Sequence, residues 1–207
     1  MVTHPTLAGT WTLLAASVLA ASAHAQTLSG AVLIDALRGG GYVLLMRHAS
    51  SPFAPPAPAA AEPGNTKPER QLDEAGKTSA RAMGEAWRKL GIPVGQVLSS
   101  PTFRALQTAR LESLPTPTTF PELGDGGQSM QAVNGSEGVW LRAKVAEPPK
   151  GKTDTVIITH VPNIRAAYAA DSAGLADGEA MIFHPDGHGG AQLEGRVKIE
   201  TWPELAR

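Results

Sequence analysis

The chain has no cysteine. That excludes a disulfide framework, a thiolate nucleophile and any zinc site built on sulfur. Aromatic residues make up only 5% of it, and charges of the two signs nearly cancel, with 18 Lys+Arg against 19 Asp+Glu. A near-neutral balance argues against a nucleic-acid coat, which carries a strong basic excess, though a local basic pocket remains possible. The first charged side chain is Asp35, so the opening segment lacks charge altogether. Leu7 to Ala21 is an apolar run, and Ala23-His24-Ala25 follows with small residues at the spacing a signal peptidase reads. The pattern predicts a signal peptide over residues 1–25, cleaved before Gln26, and a single domain over 26–207. The missing Lys or Arg ahead of the apolar run departs from the usual leader; the competing readings are a misplaced start and an uncleaved anchor. Cleavage would put the mature protein in a periplasmic or secreted setting, with no stable membrane association.

What is present is 42% hydrophobic residues with only 18% charged, enough to build a core, and 22 Gly with 17 Pro to make many corners. Helical spacing marks Ser29–Arg38, stopped by Gly39-Gly40-Gly41. Tyr42–Met46 is a short apolar run between glycines, the pattern of a strand buried on both faces. Ser50 to Pro68, rich in Pro and Ala, predicts a long surface loop, most simply a spacer, with substrate contact left open. A helix is expected from Leu72-Asp73-Glu74-Ala75-Gly76 to about Leu90, then a strand at Gln96–Ser99. Ser100-Pro101 reads as the start of a helix to about Leu111. Thr116–Glu122 is expected as a strand and its exit, and Met130–Val145 as a helix broken at Asn134-Gly135 and Gly138. Asp154–Thr159 is the clearest strand, followed by a helix from Val161-Pro162 to Ala170. Glu179–His184 and Ala191–Trp202 close the chain as strands. Alternating strands and helices imply an α/β three-layer sandwich, with a mostly parallel central sheet and helices on both faces.

Open parallel sheets bind ligands at the carboxyl ends of their strands. Three of the expected strand exits carry Arg47-His48, Ser99-Ser100-Pro101 with Arg104 close behind, and His160. Two guanidiniums and two imidazoles at one sheet edge suit a compact oxyanion such as phosphate. Arg grips its oxygens bidentately and stays charged. Opposite unit charges about 4 Å apart attract by about 4 kcal/mol at an effective dielectric near 20. His184 and His188, set in Pro-Asp-Gly-His-Gly-Gly turn chemistry, read as turn residues and not as metal ligands; Arg165 reads as helix surface.

Arg47-His48-Ala49 after a hydrophobic strand resembles the signature of the histidine phosphatase (phosphoglycerate mutase-like) superfamily. Leu72 to Gly76 resembles its Leu-x-x-x-Gly helix start. Ser99-Ser100-Pro101-Thr102-Phe103-Arg104-Ala105-Leu106-Gln107-Thr108-Ala109 is similar to its second block, and Ile158-Thr159-His160-Val161-Pro162-Asn163-Ile164 to its second-histidine block. The four blocks stand in the family's order across about Gly41 to Phe183. By this resemblance His48 is the nucleophile that becomes a phosphohistidine, while Arg47, Arg104 and His160 hold the phosphoryl oxygens. No metal or other cofactor is implied. The partner implied is a small phosphorylated substrate or a phosphoprotein. A phosphomonoester, a phosphohistidine, an envelope sugar phosphate, or binding of phosphate without turnover all fit. Glu122, eighteen residues after Arg104, resembles the family's acid in position. Glu179 is the alternative acid, and a site with no dedicated acid is the third possibility. Val161 after His160 departs from the His-Asp pair of the family's other branch.

Overall fold

The computed structural model describes Met1, residues 28–125 and residues 135–207. Apart from Met1, the expected leader over 1–25 lies outside the described residues, as does Met130. In chain order the elements are α1 (Gly30–Gly39), β1 (Val43–Arg47), α2 (Glu74–Leu90), β2 (Val94–Ser99), α3 (Phe103–Leu111), β3 (Thr118–Thr119), α4 (Gly135–Val145), β4 (Asp154–Thr159), α5 (Val161–Ala167), β5 (Ala180–Pro185), β6 (Ala191–Val197) and α6 (Thr201–Leu205).

The strands form one sheet in the order β3-β2-β4-β1-β5-β6. β3, β2, β4 and β1 pair in parallel, while β5 runs antiparallel to both β1 and β6. Successive side chains of a strand point to opposite faces, and β1, β4 and β5 are buried at nearly every position, so the sheet buries both faces. Leu44, Met46, Val156, Ile158 and Ile182 pack with α1, α2, α3 and α6. Val43, Leu45, Ile157, Met181 and Phe183 pack on the other side with α4 and α5. The result is the expected three-layer sandwich.

Local chemistry explains the helix nearest the site. Asp73 caps α2: its Oδ1 accepts from the Gly76 amide at 2.7 Å, and its Oδ2 accepts from Ser50 Oγ at 2.7 Å. A Cβ at Gly76 would stand 2.2 Å from the Ser50 carbonyl oxygen. The glycine of the Leu-x-x-x-Gly block therefore lets α2 touch the chain two residues after His48.

Several expectations are corrected. α3 starts at Phe103, capped by Thr102 and not Ser100, because Ser100 is drawn into the site described below. The stretch 116–122 gives a two-residue strand and then a 3-10 turn over Pro121–Leu123, where Pro121 withholds an amide. Gly138 does not break α4: a Cβ there would lie 2.6 Å from the Ala166 carbonyl oxygen, so the glycine is a contact point with α5. α5 ends at Ala167, short of Ala170. The last strand stops at Val197, and Trp202 belongs to α6, where its ring meets Trp87 edge-on at 5.3 Å.

Candidate active site

The register of the parallel strands sets the site. Arg47 sits opposite Thr159, and Ser99 opposite Ile158. The residues that leave these strands, His48, Ser100 and His160, therefore emerge at one edge. The ladder continues one step past the strands, with the His48 amide donating to the Thr159 carbonyl at 3.1 Å and the Ser100 amide to Ile158 at 2.9 Å. The two imidazoles come to rest with ring centroids 5.2 Å apart, inclined at 62°.

Arg104, in the first turn of α3, is wholly buried between them. Its Nε donates to His48 Nε2 at 3.2 Å, and its Nη2 donates to His160 Nδ1 at 3.1 Å and to Asp125 Oδ2. Its Nη1 is buried and has no partner among the described residues; neither has Arg47 Nε. Thr108, one turn later, donates to the Arg104 carbonyl at 2.9 Å and accepts from the Ala49 amide at 3.1 Å. The second block thus ties its arginine to the chain beside the nucleophile candidate.

Hydrogen bonds fix both rings. His48 Nδ1 lies 2.7 Å from its neighbour's carbonyl, Ala49 O, so it carries the proton and leaves Nε2 with the lone pair. His160 Nε2 donates to Ser100 Oγ at 2.8 Å, which leaves Nδ1 to accept from Arg104. Burial, aided by Arg104, holds both imidazoles neutral: His48 is pushed down to about 3, against a weaker opposing pull from the Ala49 carbonyl, and His160 well below the usual histidine range. A neutral ring with an unprotonated Nε2, here accepting from Arg104 Nε, is the form that can act as a nucleophile once that bond is given up.

Arg47, at the end of β1, reaches the Asp177 carboxylate at 2.8 Å. The two charges touch without hydrogen-bond alignment, since Asp177 Oδ1 finds no aligned donor. Arg47, His48, Phe53, Arg70, Asp125, His160, Val161 and Pro162 line a cleft with a water-accessible volume of about 40 Å³. That is space for a few waters or for one tetrahedral oxyanion.

All four strand-exit residues are thus brought together, and the carboxylates are sorted. Glu122 lies in the 3-10 turn and does not line the cleft; the carboxylate that does is Asp125, three residues on. Asn163 donates to the carbonyls of Glu122 at 3.1 Å and Gly124 at 2.9 Å, and Thr159 Oγ1 donates to that of Leu123 at 2.7 Å. These bonds aim the turn so that Asp125 enters. Glu179 is held elsewhere, accepting from Arg196 Nε at 2.7 Å and the Ala176 amide at 2.8 Å. Sequence reasoning missed Asp125, Arg70 and Phe53. The phrase Glu122-Leu123-Gly124-Asp125 contained two carboxylates, and only the Asn163 and Thr159 tethers decide between them. Arg165 is exposed, and His184 is an exposed ring lying 4.9 Å from that of Tyr42.

No family model matches the sequence, and no curated protein sequence matches it. Solved structures do. A structure of the protein histidine phosphatase SixA complexed with tungstate aligns over 77% of this chain and 98% of its own, with a TM-score of 0.55 and 21% identity. A putative phosphohistidine phosphatase SixA from Agrobacterium tumefaciens aligns over 76% and 98%, with a TM-score of 0.53 and 18% identity. The fold is that of SixA. At this level of identity the likeness concerns the sheet, its helices and their order.

Proposed function

We propose that this protein is a histidine phosphatase that hydrolyses a phosphomonoester through a phosphohistidine on His48. The observation that carries the proposal is Arg104: a fully buried guanidinium bonded to two neutral imidazoles, with Nη1 unsatisfied among the described residues. A buried donor without a partner costs about 1–3 kcal/mol, and a phosphoryl oxygen would satisfy it. The SixA structure complexed with tungstate, another tetrahedral oxyanion, supports this reading.

In the first step His48 Nε2 attacks phosphorus and the bond from phosphorus to the ester oxygen breaks. Its electron pair leaves on that oxygen, which takes a proton. A phosphoryl oxygen competes with His48 Nε2 for the Arg104 Nε–H, so binding frees the lone pair. Arg47, Arg104 and His160 stabilise the charge on the transferring group. Asp125, the carboxylate in the cleft, takes the acid's part in place of Glu122 or Glu179: displaced from Arg104 by the phosphoryl oxygens, it takes up a proton from solvent and passes it to the leaving oxygen. Water then attacks phosphorus and gives a proton to the Asp125 carboxylate, the P–N bond breaks, and its pair returns to Nε2. Guanidiniums supply the positive charge, so the chemistry asks for no metal. The uncharged apolar run and the Ala23-His24-Ala25 site support a cleaved leader over 1–25, with the mature enzyme, residues 26–207, in the periplasm or outside the cell.

The test is turnover of an aryl phosphate by the purified protein in the presence of a chelator, with His48→Ala as control. Release of phosphate by the first and not the second is expected. Equal release by both overturns the proposal. Thermal stabilisation by phosphate without any turnover turns it into a phosphate-binding module.

A further inference from the structure

Phe53 belongs to neither core, is 76% exposed, and yet lines the cleft. A single exposed aromatic is ordinary on a protein surface. This one is held in place. Arg70, itself buried, donates from Nε to the Pro52 carbonyl and from Nη2 to the Ser51 carbonyl at 3.0 Å, so Ser51-Pro52-Phe53 is pinned at the mouth of the cleft. The same guanidinium sits over the Phe53 ring, 5.5 Å from its centroid. One ring face is therefore backed by a planar cation, and with Phe53 76% exposed among the described residues the ring is open to solvent. Val161 and Pro162, the residues after His160, also line the cleft and add apolar surface to it.

The cleft so combines an anion-sized, cationic floor with a flat aromatic wall. Its volume admits the phosphoryl group and little else, so whatever carries that group must sit at the mouth, beside Phe53. The side chains of Phe53, Val161 and Pro162 offer no hydrogen-bond partner to the hydroxyls of a sugar or glycerol group, so only a C–H face could rest there. A planar ring would stack, in the offset or edge-on geometry aromatic pairs prefer.

We propose that Phe53, backed by Arg70, is the platform on which the substrate's leaving group stacks, and that this group is a planar aromatic ring bearing the phosphoryl group. The proposal rests on the phosphatase reading and names its substrate class. Aryl phosphate esters carry this chemistry.

The experiment measures binding, so it stands apart from catalysis. Phenylphosphonate and cyclohexylphosphonate, matched in size and differing in flatness, are titrated into the mature protein at a pH where both are dianions. Wild type is expected to bind the phenyl compound about tenfold more tightly. Phe53→Ala abolishes the preference and Phe53→Trp restores it. Equal binding of the two by wild type, or a preference that survives Phe53→Ala, overturns the platform even if phosphatase turnover is found. Absence of turnover with the preference intact overturns only the phosphatase reading.

Discussion

Replacing Asp125 by Asn should destabilise the protein and at the same time sharpen its response to phosphate. Arg104 has no exposure to solvent, and Asp125 is its only carboxylate partner among the described residues. Removing one partner of a buried ion pair costs about 3–5 kcal/mol, because the remaining charge stays buried. For a domain of this size each kcal/mol is worth about 2–4 °C, so the melting temperature should drop by about 6–20 °C. Phosphate and Asp125 compete for the same guanidinium. Phosphate at a hundredfold excess over its Kd contributes about 2.7 kcal/mol, and freed of that competitor it should bind the variant more tightly. Thermal unfolding followed by circular dichroism, with and without phosphate at neutral pH, reads both effects. A variant that melts with wild type, or one whose phosphate shift is no larger, refutes the reasoning that Arg104 is an anion-seeking charge parked on Asp125.

Further outcomes concern the frame of the site. Below about pH 6.5 the unfolded chain takes up a proton on His48 that the folded chain refuses until about pH 3, so this histidine's contribution is present in full above pH 6.5 and lost on acidification. His48→Gln should flatten the fall in unfolding free energy, read from urea titrations between pH 6 and pH 4, by about 1.4 kcal/mol per pH unit; parallel curves for the two proteins would contradict the buried, neutral ring. Gly76→Ala drives a methyl group into the Ser50 backbone and should cost about 1–3 kcal/mol with a loss of turnover, since the strain falls two residues from His48; unchanged chemical denaturation would count against it. Arg196 ties Asp171, Ala173 and Glu179 into one loop that also carries Asp177, the partner of Arg47. Arg196→Met should raise KM several-fold with a smaller effect on kcat, and an unchanged KM would show that Arg47 needs no such support.

The parts of the fold legible in the sequence were those whose signal is local. β1 is apolar up to Arg47 and β4 has the β-branched centre Val156-Ile157-Ile158, because both sheet faces are buried, and Arg47, His48 and His160 are simply the residues that end or follow them. Arg104 was legible through its short distance from the end of β2. Asp125 was not, because its entry into the cleft depends on Asn163 and Thr159, more than thirty residues downstream. Arg70 and Phe53 sit in a Pro- and Ala-rich segment with no periodicity, and their pairing is a tertiary event. Gly138 shows the converse error: a residue that weakens a helix in isolation was retained because Ala166 leaves no room for a side chain. α6 is five residues long and includes Pro203, too short to display a helical period.

The central proposal is that His48 receives the phosphoryl group in a cleft that it lines with Arg47 and His160, with Arg104 buried behind them. Turnover of a radiolabelled aryl phosphate, stopped in denaturant under alkaline conditions and mapped by peptide, tests that directly. The label should be acid-labile and base-stable, reside on His48, and be absent from His48→Ala. Label on Ser99 or Ser100, or retention of label in the variant, would contradict it.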